Sequence, residues 1–345
     1  MFKLRLPLTP LTKHISNPHN VHSRITLLSS IHTKANESSH TSPTYDGTAK
    51  SLGVSDLGSD ALSDNIETVK LAFDKHIPPS HLPIPLIPIP NIIFLHGLFG
   101  SKSNNRSISK QLSKSLNCEI YCVDLRNHGD SPHNLRHDYP SMAADVERFI
   151  KDNNIIKPII IGHSMGAKCA MAIALRKPDI CSGIISVDNA PVNFTNGSTG
   201  FSKFGKYIKT LQIIEKTENL KSMKDCDKIL SNVESSLPIR QFLETNLRKI
   251  NNHYISRVPL NIMSNQIDNV SSWPFNNEIS RYNGPSLFIR GEKSAYVADE
   301  FIEAIGLFFP KFEIVDIDAG HWLISEKPRE FHAAVTRWID REFEE

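Results

Sequence analysis

Pro158-Ile159-Ile160-Ile161-Gly162-His163-Ser164-Met165-Gly166-Ala167-Lys168-Cys169-Ala170 decides how this chain is read. A short apolar run enters G-x-S-x-G, and an Ala-rich stretch with helical spacing, Ala167 to Leu175, leaves it and stops near Pro178. The order is strand, sharp turn, helix. So tight a turn needs small residues on either side of the serine, and Gly162 and Gly166 supply them. The turn thrusts the Ser164 hydroxyl out at a helix N-terminus, where the Met165 N–H can face a developing oxyanion.

Outward from this segment, strands and helices alternate. Ile92 to Leu95 and Ile120 to Val123 read as buried strands, the second ending at Asp124. Met142 to Lys151 has helical spacing, and Ile184 to Val187 is again a strand. Ser286 to Ile289 and Phe312 to Ile317 follow, and a helix over Pro328 to Phe343 closes the chain. Short apolar strands separated by amphipathic helices imply a mostly parallel sheet covered by helices on both faces. The alternation breaks over about 192–283, which reads as mostly helical, with Leu243, Leu247 and Ile250 on one helical face. An insertion there, above the carboxyl ends of the strands, is where a lid sits.

Upstream, a strand-like alternation begins at Ile66 with Val69-Lys70-Leu71-Ala72-Phe73, and Pro78 to Pro90 reads as a rigid proline-rich connector. Residues 37–65, rich in Ser, Asp, Gly and Thr, read as flexible linker, so the folded domain is expected over 66–345. Residues 1–36 carry Lys3, Arg5, Lys13, Arg24 and Lys34, no Asp or Glu, and many Ser and Thr. That composition predicts a mitochondrial targeting leader, since no sustained apolar core marks a secretory signal. Removing those five charges from the formal +2 leaves the remaining chain at about −3, which gives no reason to expect a nucleic-acid partner. No apolar run is long enough to span a bilayer; the best, Ile84 to Leu95, is cut by prolines. None of the five cysteines forms a CxxC pair. Cys118 and Cys122, on one strand, would lie ~13 Å apart, too far for a disulfide, so buried thiols in a reducing compartment are expected.

His96-Gly97-Leu98-Phe99-Gly100 follows the first buried strand, in the place where this architecture supplies a second oxyanion N–H; Leu98 is the chosen donor beside Met165. The base belongs in a loop after the last strand, and Asp318-Ala319-Gly320-His321-Trp322 puts His321 there, whereas His332 falls inside the terminal helix. The acid has two candidates. Asp188, in Val187-Asp188-Asn189-Ala190-Pro191, lies 24 positions after Ser164 and is preferred; Glu292, in Gly291-Glu292-Lys293-Ser294, is the fallback, with a serine where the usual aspartate of that later strand would stand. Asp124-Leu125-Arg126-Asn127-His128-Gly129-Asp130-Ser131 looks like a metal cluster, but its spacing does not suit a closed zinc site and a hydrogen-bonded turn fits better. No metal and no bound cofactor are expected. Together these features describe an α/β-hydrolase fold with a helical lid insertion.

The motifs His96 to Ser101, Asp124 to His133, Gly162 to Lys168, Val187 to Pro191, Arg240-Gln241-Phe242-Leu243 and Arg290 to Val297 resemble those of the mitochondrial α/β-hydrolases that include the yeast ethanol acetyltransferases. The resemblance covers roughly 66–345. It implies acetyl-CoA as acyl donor and ethanol as acceptor, with thioesterase and esterase side activities on short esters. It also implies an acid after the earlier strand, in agreement with Asp188, and a mitochondrial location. The same motifs occur in plain hydrolases, so a carboxylesterase or thioesterase is the competing expectation. A noncatalytic binding protein on the same fold would lack a member of the Ser, Asp, His set, and all three are present.

Overall fold

The computed structural model describes residues 60–82, 87–194 and 201–343. The leader, and the linker up to residue 59, lie outside the described residues. The strands in chain order are β1 (Phe73–His76), β2 (Ile92–Leu95), β3 (Ile120–Val123), β4 (Ile159–His163), β5 (Gly183–Val187), β6 (Leu247–Ile250), β7 (His253–Ser256), β8 (Ser286–Gly291) and β9 (Phe312–Ile317). Among the described residues, seven of them form one sheet in the order β1-β3-β2-β4-β5-β8-β9. All neighbours are parallel except β1, which runs antiparallel to β3 at the edge.

Strand alternation divides the core into two layers. Ile92, Phe94, Ile159, Ile161, Ile185 and Val187 face helices α1 (Arg106–Leu116) and α10 (Pro328–Phe343). Ile93, Leu95, Ile160, Ile184 and Phe288 face α2 (Tyr139–Asp152) and α3 (Met165–Arg176). At ~25 cal/mol per Å² of apolar surface, these layers are the main source of stability. The domain also holds a fully buried ion pair: Arg126 Nε and Nη2 donate to Asp145 at 2.6 and 2.8 Å, and Arg126 also donates to the carbonyls of Glu67 and Arg136.

The insertion after β5 holds α4 (Phe201–Lys216), α5 (Met223–Leu230), α6 (Leu237–Glu244), the β6–β7 hairpin and α7 (Leu260–Ser271). The expected helical face through Leu243, Leu247 and Ile250 is therefore corrected. Leu243 is helical, but Leu247 and Ile250 are in a strand. The cause is the Asn251-Asn252 pair, both at positive φ (47° and 65°), which makes a two-residue hairpin turn. The remaining helices are α8 (Ile302–Phe308) and α9 (Leu323–Glu326).

Two boundaries also move. β1 starts at Phe73 rather than near Ile66, because the backbone before it is held by side chains: Val69 N–H by Asp145 and Ala72 N–H by Ser131. Residues 60–65, read as linker, pack onto the domain. Ala61 is buried, and Arg176 donates to the carbonyls of Ala61 and Ser63. All five cysteines are free and buried; burial pushes the Cys118 and Cys122 thiols up to about 12 and about 11.

Candidate active site

The chemistry-bearing residues all leave the carboxyl ends of the sheet, from β2, β4, β5, β8 and β9. The ladder runs one step past the strands and fixes them. Ser164 N–H donates to Val187 O (2.9 Å), Asp188 N–H to Ile289 O (2.8 Å), and Glu292 N–H to Ile317 O (2.9 Å).

Ser164 has φ 55° and ψ −116°, a backbone conformation that L residues avoid. The glycines around it make room. A Cβ on Gly162 would lie 2.0 Å from the Gly166 carbonyl oxygen, and one on Gly166 would lie 2.6 Å from the carbonyl oxygens of Leu95 and His96. His321 Nε2 is 3.0 Å from Ser164 Oγ, and His321 Nδ1 is 2.6 Å from Asp188 Oδ2. Asp188 is fully buried. Its other oxygen accepts from Gly291 N–H (3.0 Å), and Oδ2 also accepts from Ser294 Oγ (2.5 Å). The structure thus brings Ser164, His321 and Asp188 into one hydrogen-bonded chain. Glu292, the fallback acid, is exposed to solvent.

The loop after β2 lies against the serine: a Cβ on Gly97 would sit 3.2 Å from Ser164 Cβ. Two neutral imidazoles hold it. His96 Nδ1–H donates to Gly97 O (2.8 Å) while its Nε2 accepts from Leu125 N–H (3.0 Å). His128 Nδ1–H donates to Arg126 O (3.0 Å) while its Nε2 accepts from Phe99 N–H (3.2 Å). Burial lowers the pKa of both, which preserves the acceptor nitrogens. Asn246 of the insertion donates to Phe99 O (2.8 Å). The N–H groups of Phe99 and Gly100 are engaged within the protein, and Leu98 lines the cleft beside Gly97. Met165 is the first residue of α3, as an oxyanion donor after the serine must be.

His163, expected from the sequence to shape the elbow, and several other residues make supporting contacts that the sequence reading did not foresee. His163 Nε2 donates to the His321 carbonyl (2.8 Å), and Tyr296 stacks on the His321 ring with centroids 4.2 Å apart. Burial and the neighbouring His321 imidazole push His163 down to about 4, so it is neutral at pH 7. Ser294 carried a signal, since a hydroxyl stood where the commoner acid would. Lys168 carried none: it is fully buried, and Nζ donates to the carbonyls of Val192, Ser271 and Ser272 at 2.7, 3.1 and 3.0 Å. The Asp124 segment is the hydrogen-bonded turn expected of it. Asp124 accepts from Lys102 N–H, Lys102 Nζ and Asp130 N–H.

Above Ser164 and His321 opens a cleft of about 690 Å³. Its outer wall comes from the insertion, through Phe204, Ile239, Gln241 and Phe242, and its other side from Trp322 and Ile324. Phe242 meets Trp322 edge-on at 4.7 Å, so the insertion leans directly on the loop that carries His321. Arg240 holds the base of that wall through Asp227 (2.6 Å) and the carbonyls of Glu234 and Ser235. Among the described residues, no helix is long and apolar enough to cross a membrane.

Fold and site together define an α/β-hydrolase. Residues 90–215 match the family model described as alpha/beta hydrolase fold. The chain is 41% identical over 271 residues to a "Probable alcohol acetyltransferase" of Saccharomyces cerevisiae, covering 74% of this chain and 78% of that one. It is 37% identical over 252 residues to the "sn-1-specific diacylglycerol lipase ABHD11" of Mus musculus, covering 73% and 81%. A solved structure titled "Marine microorganism esterase" superposes with a TM-score of 0.71 at 32% identity, covering 79% of this chain and 100% of that one. The chain belongs to the α/β-hydrolase family, in the group that takes in the yeast "Probable alcohol acetyltransferase" and the ABHD11 proteins, and acyl transfer or hydrolysis is its chemistry.

Proposed function

We propose that the protein is a serine-dependent alcohol O-acetyltransferase that makes ethyl acetate from acetyl-CoA and ethanol, with thioesterase and esterase side activities. The observation that carries the serine mechanism is the continuous chain from Ser164 Oγ through the His321 ring to Asp188. His321 Nε2 takes the hydroxyl proton as Ser164 attacks the thioester carbonyl, and Asp188 holds the Nδ1–H tautomer and stabilises the imidazolium. The N–H groups of Leu98 and Met165 receive the oxyanion. The thiol leaves with the proton from His321, leaving an acetyl-serine. His321 then deprotonates ethanol, giving ethyl acetate, or water, giving acetate. The 41% identity to the yeast protein supports the transferase reading. Water competes for the same intermediate, and one or two methylenes of ethanol are worth only ~1–3 kcal/mol against it.

The test is product analysis with acetyl-CoA, with and without ethanol, beside Ser164→Ala. Ethyl acetate plus acetate is expected from the wild type and neither from the variant. Acetate alone would remove the transferase and leave a thioesterase. A second reading, hydrolysis of longer esters, is favoured by the 690 Å³ cleft, which holds far more than an acetyl group. Absence of Ser164 labelling by a fluorophosphonate would remove both. The basic leader supports a mitochondrial location, tested by import and N-terminal sequencing of the organellar protein.

A further inference from the structure

Two neighbouring asparagines end the short 3-10 turn, Lys102–Asn105, that joins the loop after β2 to α1, and they behave differently. Asn104 Oδ1 accepts from Ser101 N–H at 2.6 Å and closes a local turn. Asn105 stands at the N-cap position of α1, where an asparagine side chain ordinarily accepts from the first-turn N–H groups, but it makes no such bond. It is only 5% exposed, its Nδ2 is buried without a hydrogen-bond partner, and the residue lines the cleft that holds Ser164 and His321. A buried amide donor left unpaired is costly, and the cap bond that could have used the side chain is forgone.

We propose that Asn105 is a substrate-binding residue whose carboxamide donates a hydrogen bond to an uncharged oxygen in the leaving group of the bound ester or thioester. This rests on the reading of Ser164 as nucleophile. The oxygen is uncharged because, among the described residues, no lysine or arginine lines the cleft and Glu326 does. Two leaving groups share that chemistry: the amide carbonyl of a pantetheine arm and the hydroxyls of a glycerol ester.

Three acetyl donors test it: phenyl acetate, whose leaving group offers no further acceptor, S-acetyl-N-acetylcysteamine, which carries an amide carbonyl, and monoacetylglycerol. All three give the same acetyl-serine, so differences among them in kcat/KM arise before that intermediate. Asn105→Leu keeps the branch at Cγ without polar atoms, and Asn105→Asp keeps the shape but removes the donor. Both are expected to lower kcat/KM ~10-fold, through KM, for whichever acceptor-bearing donor is recognised, against less than ~3-fold for phenyl acetate. Loss confined to the cysteamine thioester identifies an amide carbonyl; loss confined to the glycerol ester identifies a hydroxyl. Asn105→Leu should also melt no lower than the wild type, since it removes an unpaired buried donor. An equal loss on all three donors, or none on any, overturns the proposal. Wild-type protein that cleaves no donor refutes the nucleophile reading instead, and a variant is not needed to see it.

Discussion

Ser294 Oγ donates to Asp188 Oδ2 at 2.5 Å, across the gap between the ends of β8 and β5. The same oxygen receives His321 Nδ1–H at 2.6 Å. The hydroxyl therefore holds, from the later strand, a carboxylate supplied by the earlier one. Asp188→Asn should lower the kcat of ester hydrolysis ~10³–10⁴-fold by spoiling the tautomer and the imidazolium. Ser294→Ala should cost nearer ~10-fold, because Gly291 N–H still orients the carboxylate. Glu292→Gln should change kcat less than twofold, roughly the scatter of a surface substitution. Steady-state kinetics on one ester checks all three, and a severe Glu292→Gln defect beside a mild Asp188→Asn would move the acid to the later strand.

The elbow predicts a size limit at two glycines. A methyl on Gly162 meets the Gly166 carbonyl oxygen at 2.0 Å, and backbone cannot step aside as a side chain can. Gly162→Ala should cost at least ~100-fold in ester hydrolysis and lower the melting temperature, since displacing Ser164 by even ~1 Å is that expensive. Ala167→Gly, in the first turn of α3, should instead keep the elbow and lose only ~1 kcal/mol of stability through helix propensity. Matched kinetics and thermal melts separate the two outcomes.

These residues show why some of the molecule was legible in sequence. β2, β3 and β9 match their predicted runs to the residue: β2 and β3 are buried on both faces and read as continuous apolar runs, while β9 is the edge strand, with Glu313 and Asp316 exposed between its apolar residues. Ser164, Asp188 and His321 were legible because each follows such a strand. The β6–β7 hairpin was misread because apolar spacing at 243, 247 and 250 also fits a helix, and the Asn251-Asn252 turn signal was passed over. Lys168, Asn246 and Asn105 were invisible because their partners, or the lack of one, come from segments distant in sequence.

The imidazoles of His128 and His137 are fully buried, and each has a pKa below the ordinary value; His137 lies at about 3. Burial is the main cause in both. The unfolded chain therefore takes up protons first as pH falls through about 6.5, and the folded state follows only near its own lowered pKa. Stability should fall from about pH 6.5 downward, by up to ~1.4 kcal/mol per pH unit for each such histidine, and should be flat with respect to them above pH 7.5. Urea unfolding between pH 7.5 and 5, above most carboxylate titration, measures the slope. His137→Gln should make it shallower; an unchanged slope would place the proton uptake elsewhere.

Lys168 Nζ donates to three carbonyls, and a neutral amine has only two N–H bonds, so the geometry requires the ammonium even though burial lowers its pKa. Val192 lies where the chain leaves β5 for the insertion, and Ser271 and Ser272 where α7 ends, so one side chain ties both ends of the insertion to α3, one turn beyond the nucleophile. The rings of Tyr139 and Phe194 lie 5.4 and 4.5 Å from the same nitrogen and stabilise its charge. Lys168→Met retains the apolar stem but leaves the three carbonyls without this donor. It should cost roughly 3–5 kcal/mol, the scale of breaking a buried charged network. Because the broken bonds join the insertion and not the sheet, amide exchange should accelerate in α4 to α7 while β4 and β5 stay protected. The KM for esters should rise with it, as Phe242 and Ile239 lose their fixed distance from Trp322. Uniform acceleration across the sheet would instead make Lys168 an ordinary core residue with no special hold on the insertion.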